Sequence, residues 1–351
     1  MTQGTPNSSS GPPAARHRLI LDVDTGVDDA LAILLACASD DVDLLAITCV
    51  AGNTRLADVI TNTTALMGLA GRSDVPVAAG RDRALVRVPV GVDNSWVHGG
   101  NGRGYATVRE NRRAVADIDA TDLLIAEAQA RPGEVTLITT GPLTNLALAV
   151  RREPRLPELL KRWIYMGGAY RTHGNVTPAA EFNVHTDPEA AKIALEAFTG
   201  APLRPTAVGL DVTHQVRLLP AHIEALASAA GDVLAVRPGT TSWGTPNNPI
   251  MKYLEGALRK YAEYHHKFHG FYGTYLHDAV TVAVMLDPTL VATRPVAVDV
   301  ECAGKLTSGQ TVADWQNVWQ AEPNVDVAVS IDVERSLAAL VDGISVMLAS
   351  S

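Results

Sequence analysis

Cysteine is scarce in this sequence. The 351 residues contain three, Cys37, Cys49 and Cys302. An odd, widely spaced set gives no disulfide framework, and without a CxxC pair there is no zinc signature. Cys37 and Cys49 lie in apolar runs and read as buried thiols, which fits a reducing compartment. Blocks of Lys and Arg are also missing: 29 basic residues stand against 38 acidic ones, a net charge of -9. An acidic chain without a basic patch is a poor match for a phosphate backbone, so no nucleic acid polymer is expected as a partner. No run of about 20 apolar residues is present, so no membrane span or membrane partner is expected. The segment Met1 to Arg16 is rich in Ser, Pro and Gly and lacks the apolar stretch of a secretory signal. It reads as a disordered tail. Residues 1–17 are therefore set apart from a single domain over residues 18–351, and a cytoplasmic location is expected.

What remains is ordinary globular material, 47% hydrophobic and 19% charged, in a chain long enough to bury a large core. Short apolar runs alternate with helical periodicity. Leu19 to Val23, Val42 to Ala51, Val75 to Ala79, Val135 to Thr139 and Trp163 to Met166 read as strands. Asp28 to Ser39, Leu56 to Ala70, Asp122 to Ala130, Leu143 to Val150 and Pro188 to Phe198 read as helices between and after them. The pattern predicts an α/β fold, a mostly parallel open sheet with helices on both faces. Ala221 to Leu286 reads as mainly helical. Pro295 to Val300, Gly309 to Trp315 and Val325 to Ile331 read as strands, the first two as a hairpin, and Ser336 to Leu348 as a closing helix. Two long polar stretches, Gly80 to Tyr105 and Gly167 to Thr186, are loops of the length that carries function. Sites in such sheets form beyond the C-terminal ends of the strands. That rule picks out Asp24 to Asp29, Gly52–Asn53, Thr140–Gly141 and Gly167 onward.

The densest chemical signal is Leu21-Asp22-Val23-Asp24-Thr25-Gly26-Val27-Asp28-Asp29-Ala30, at a strand-to-helix turn. Four carboxylates in eight residues repel one another unless a cation neutralises them or some stay protonated. Oxygen ligands alone point to a hard cation, Ca²⁺ or Mg²⁺. Helix capping would account for Asp28 but not for Asp22 or Asp24. An EF-hand loop fails, because the sixth position from Asp22 is Val27 and the twelfth is Ile33. A haloacid-dehalogenase-like, Mg²⁺-dependent phosphatase, with Asp22 as nucleophile, fits Asp22-Val23-Asp24-Thr25. It leaves Asp28 and Asp29 without a role.

The run also resembles the N-terminal DxDPGxDDA motif of the inosine-uridine nucleoside hydrolase family, with Thr25 in place of the usual Pro. Other segments are similar to that family in the same order: Val50-Ala51-Gly52-Asn53, His98-Gly99-Gly100-Asn101-Gly102, and Thr140-Gly141-Pro142-Leu143-Thr144-Asn145. Met166-Gly167-Gly168, Gly174-Asn175, Glu181-Phe182-Asn183, Asp187-Pro188-Glu189-Ala190-Ala191 and His277-Asp278 follow. The resemblance covers Leu19 to about Pro288.

It implies hydrolysis of the N-glycosidic bond of a ribonucleoside to ribose and free base. By the same resemblance Asp24, Asp29, Asp278 and the Thr140 carbonyl hold a Ca²⁺ ion, and Asp24 activates the water it binds. Asp28 and Asn53 meet the ribose diol or orient the water, Asn183 meets the same diol, Asn175 and Glu181 the 5′-hydroxyl, and Met166 the sugar face. Asp22 supports the carboxylates from behind. His98 and His277 lie near the base, with His277 as the acid for the leaving group, and the family is commonly a homodimer or homotetramer. An inactive nucleoside- or sugar-binding protein is the remaining alternative. Singly, these residues have plainer readings: Asn53 a turn residue, His98 a surface loop residue, Met166 core, His277 a helix cap. The cluster Tyr261, Tyr264, His265, His266, His269, Phe271 and Tyr272 reads either as a helix face or as a flap over the base.

Overall fold

The computed structural model describes residues 16–87, 95–108 and 115–350. Its centre is an eight-stranded sheet. The first six strands in chain order are β1 (His17–Val23), β2 (Val42–Cys49), β3 (Val77–Ala79), β4 (Val135–Thr139), β5 (Leu160–Met166) and β6 (Thr206–Val208). They lie in the order β3-β2-β1-β4-β5-β6 and pair in parallel. Val325–Ile331 adds to β6 in parallel, and Val291–Val296 closes the edge antiparallel to it.

The central strands are apolar on both sides because both faces are covered. Leu19, Leu21 and Val23 of β1 enter one core cluster, with Leu31, Leu254 and Leu340. Ile20, one step out of phase, enters the other, with Leu124, Leu146, Trp163 and Phe198. Helix α1 (Val27–Ala38) is buried from Val27 through Ala36 because it lies under two further helices, Asp278–Leu286 and Val333–Ser350. That packing brings the first turn of Asp278–Leu286 to the first turn of α1. The chain order reverses between β1 and β4, and a ligand crevice forms at such a switch point beyond the strand ends.

The expected architecture is present, with local differences. β1 starts at His17, one residue inside the stretch read as tail; residues 1–15 lie outside the described residues, as do residues 88–94 of the Gly80–Tyr105 loop. β2 stops at Cys49, and β3 is short. The Gly167–Thr186 loop contains a helical turn, Phe182–Thr186. The stretch Pro295 to Val300 divides at Ala297: its first part belongs to the edge strand, and Val298–Val300 pairs antiparallel with Thr311–Ala313 as the expected hairpin. The closing helix runs from Val333 to Ser350. Among the described residues no helix is long and apolar enough to cross a membrane.

Candidate active site

The chain leaves β1 at Val23 and turns through Asp24, Thr25 and Gly26 into α1. The Gly26 N–H donates to Asp29 Oδ2 at 2.7 Å, which closes the first turn. Asn53, just past the end of β2, grips Asp24: its backbone N–H donates to Oδ2 at 2.7 Å and its amide to Oδ1 at 3.1 Å. The same amide lies 3.3 Å from Asp29 Oδ2. Gly52 is required here, because a Cβ would overlap Asp24 Oδ2. From β4, the Thr140 hydroxyl donates to Asp29 Oδ1 at 2.8 Å. Asp22 faces away, accepting from Thr48 at 2.6 Å and from Asn145 at 2.8 Å.

Three carboxylates converge: ligand oxygens of Asp28, Asp29 and Asp278 all lie within 4.8 Å of one another. Asp24 borders the group through its interaction with Asp29. Burial raises all of these acids, and repulsion by neighbouring carboxylates adds to the rise of Asp24, Asp28 and Asp278. Asp28 is pushed to about 7, Asp24 and Asp278 well above the usual carboxylate range, and Asp29 upward despite the opposing hydrogen bonds from the Gly26 N–H and the Thr140 hydroxyl. Burial also raises Asp22 to about 6. Asp28 Oδ1 is buried without a hydrogen-bond partner. An all-oxygen donor set, an orphaned carboxylate oxygen and four acids pressed toward protonation fit a hard divalent cation.

Asp28 and Asp278, with Asn53 and Thr140, line a cavity of about 340 Å³. Its far wall comes from the end of β5 and the turn Phe182–Thr186. Glu181 caps that turn, accepting from the backbone N–H groups of Asn183 (2.8 Å), Val184 (3.1 Å) and Gly168 (3.0 Å). The Asn183 amide donates to the Thr140 carbonyl at 2.7 Å and to the Met166 carbonyl at 3.1 Å, tying β4 to β5. Asn175 Oδ1 accepts from the Phe182 N–H at 2.9 Å.

Much of the remaining lining is aromatic. Tyr261, Tyr264, His265 and His269 line the cavity from the helix Pro249–His269, at the i, i+3, i+4 spacing that shares one face. His266 and Tyr272 turn away from it; Tyr272 accepts from Trp243 Nε1 at 2.9 Å. Backbone groups set two ring tautomers. The Val27 N–H donates to His98 Nδ1 at 3.2 Å, so neutral His98 carries its proton on Nε2. His265 Nδ1 lies 2.9 Å from the Tyr261 carbonyl, which only accepts, so His265 carries its proton on Nδ1. His277 Nδ1 is 2.8 Å from the Thr213 hydroxyl. Burial holds these rings neutral: His98 and His265 fall to about 3, and His277 falls well below its ordinary value, lowered further by His214, His265, His98 and His269. The free site thus keeps His277 neutral, whereas an isolated histidine titrates near neutral pH.

Of the residues singled out in the sequence, Asp28, Asn53, His98, Thr140, Met166, Asn175, Glu181, Asn183, His277 and Asp278 line this one cavity. Asp24 and Asp29 are fully buried and are not part of the lining, but Asn53 and Thr140, which bond to them, are. The closest-grouped carboxylates include Asp28, which the sequence assigned to the ribose diol. Trp96, His185, His214 and Tyr275 also line the cavity and were missed. His214 follows β6 at the end of the turn Leu210–Thr213. Had that strand been read from the sequence, the strand-end rule would have marked it.

The whole-chain comparisons agree with this geometry. The family model described as inosine-uridine preferring nucleoside hydrolase matches residues 19–338. An inosine-uridine preferring nucleoside hydrolase of Leishmania major is 38% identical over 336 residues, covering 93% of this chain and 97% of that protein. The pyrimidine-specific ribonucleoside hydrolase RihA of Shigella boydii is 36% identical over 325 residues, with 92% and 97% covered. A solved purine-preferring ribonucleoside hydrolase from Gardnerella vaginalis superposes with a TM-score of 0.83 at 30% identity, covering 95% of this chain and all of that one. The chain belongs to the inosine-uridine preferring nucleoside hydrolase family and is an enzyme of that family.

Proposed function

We propose that this chain hydrolyses the N-glycosidic bond of ribonucleosides to ribose and free base, with Ca²⁺ as its cofactor. The observation that carries the reading is one cavity lined by two kinds of group, buried carboxylates and amides on the one hand and neutral histidines and tyrosines on the other. The first suits a sugar diol and the second a nucleobase. Asp28, Asp29 and Asp278 would hold the ion, with Asp24 and the Thr140 carbonyl as further oxygen donors beside them. When bound, the ion supplies charge that neutralises the crowded carboxylates and acidifies water.

Asp24 takes the proton of the attacking water, as a general base fixed from two sides by Asn53. The carboxylates then face the positive charge that develops at the sugar, so they favour the transition state over the neutral substrate. Asn53, Asn183 and Asp28 hold the ribose diol, Asn175 and Glu181 the 5′-hydroxyl, and Met166 packs against the sugar. His98 offers its Nε2–H to an acceptor on the base. His277 passes a proton to the departing base.

The phosphatase alternative gives no role to the converging Asp28, Asp29 and Asp278, and its nucleophile Asp22 accepts from Thr48 and Asn145 outside that group. Ribose release across purine and pyrimidine ribonucleosides tests the reading. Free ribose from at least one of them is expected; phosphate release from nucleotides without ribose release overturns it.

A further inference from the structure

Asn62 lies outside the cavity and is wholly buried on the helix Leu56–Leu69. Its side chain is fully used. The amide donates to the Thr25 carbonyl at 3.2 Å and to the Asn101 carbonyl at 2.8 Å, and its oxygen accepts from Arg103 Nη1 at 2.9 Å. Thr25 sits inside the carboxylate turn, between Asp24 and Gly26. Asn101 and Arg103 belong to the loop that begins at His98. One side chain therefore bridges the segment that places the acids and the segment that places a base-side ring.

The neighbouring contacts tighten the same joint. Thr63, the next residue on the helix, meets the Thr25 hydroxyl at 2.6 Å. Gly102 has φ +80° and lies so close that a Cβ would stand 3.2 Å from both the Asn62 amide nitrogen and the Thr25 carbonyl. The loop folds back on itself through the Gly104 N–H to the His98 carbonyl at 2.7 Å. Its other side rests on the helix Pro249–His269, where the Tyr105 N–H donates to the Gly256 carbonyl at 3.0 Å. The His98 ring then meets the turn a second time, through the Val27 N–H.

We infer that Asn62 is a positioning residue that registers the His98 loop against the carboxylate turn. It fixes the placement of the His98 ring relative to the carboxylates. The inference rests on the proposed placement of base and sugar. An amide suits this task because it offers two donors to two carbonyls and an acceptor to the arginine at once. Removing it leaves the Thr25 and Asn101 carbonyls without that donor, and the loop keeps its contact with the turn through the His98 ring but loses the bridge behind it, while every cavity-lining side chain remains.

The test compares a ribonucleoside with p-nitrophenyl riboside, which offers the same sugar but a leaving group that departs without a proton. In Asn62→Ala the specificity constant for the nucleoside is expected to fall about 10- to 100-fold, the scale of an ångström-sized misplacement. The riboside should fall much less, so the ratio of the two changes. A general loss of folded protein or of bound metal would lower both alike. An unchanged ratio in a folded variant overturns the inference. Arg103→Met cuts the link at its half-buried end and serves if Asn62→Ala does not fold: a shift of the ratio in the same direction supports the inference, and no shift overturns it. Wild-type protein that releases ribose from no nucleoside would instead overturn the proposed reaction, which separates the two failures.

Discussion

A carboxylate oxygen of Asp28 lies within 4.8 Å of one of Asp278, although one residue lies in the first turn of α1 and the other opens the helix Asp278–Leu286. Two ionised carboxylates have no proton to share. Buried this close, two charges repel, so without a cation the approach calls for one of the pair to be protonated.

That requirement gives the metal-free protein a distinctive pH dependence. Burial, and then the Asp29 charge, raises Asp28 to about 7, and burial raises Asp22 to about 6. Between the unfolded carboxylate value of 3.8 and these values the folded chain binds more protons than the unfolded one. Stability contributed by these groups is therefore lost as pH rises through that window. Chelator-treated protein is expected to melt lower at about pH 8 than at about pH 5, and added Ca²⁺ should raise Tm more at the higher pH. Thermal melts at both pH values, with and without Ca²⁺, check this. A Ca²⁺ effect of equal size at both, or none, would count against the ion site.

Asp24 and Asp22 are expected to separate cleanly. Asp24→Asn removes the general base and should lower ribose release by roughly 10²–10⁴-fold with the fold retained. Asp22→Asn keeps an oxygen for Thr48 and Asn145, and its other oxygen is already unpartnered. It should stay within about tenfold of wild type. Turnover and circular dichroism of both variants decide the matter, and a dead Asp22→Asn beside an active Asp24→Asn would revive the phosphatase reading.

A 2′-deoxyribonucleoside should be a poor substrate. The 2′-hydroxyl is proposed to meet Asn53, Asn183 and the acid group, and its loss leaves buried polar partners unpaired. The specificity constant should fall roughly 100-fold or more relative to the ribonucleoside. Comparable constants for uridine and deoxyuridine, and for inosine and deoxyinosine, would show the sugar contacts to be wrongly assigned.

His277 is neutral in the free site, so its role as an acid depends on a proton it gains once substrate is bound. His277→Ala should slow nucleosides and spare p-nitrophenyl riboside. If His277 serves only to start the helix that carries Asp278, both substrates slow together. The ratio of specificity constants in wild type and variant distinguishes the two, and an unchanged ratio would shift acid duty to Tyr264, His265 or His269, which face the same cavity.

Much of this site was legible because its residues sit at the ends of strongly apolar parallel strands. Asp24 after β1, Asn53 after β2, Thr140 after β4 and Met166 in β5 each follow from a strand that a largely apolar run announces. β6 was not legible: it is three residues long, and Thr206, Ala207 and Val208 carry no period to detect. His214 was lost with it. The grouping of Asp28 with Asp29 and Asp278 was also invisible, because the turn of α1 and its packing against a distant helix decide which neighbouring carboxylates converge. Asn62 gave no signal, since its partners are two carbonyls and an arginine brought together only by the fold.

Ribose release from a ribonucleoside by chelator-treated protein, assayed as reducing sugar before and after Ca²⁺ is restored, bears most directly on the proposed reaction. The expected result is negligible sugar without the ion and full turnover once Ca²⁺ is added back. Full turnover by demonstrably metal-free protein would contradict metal-assisted hydrolysis of the N-glycosidic bond at this site.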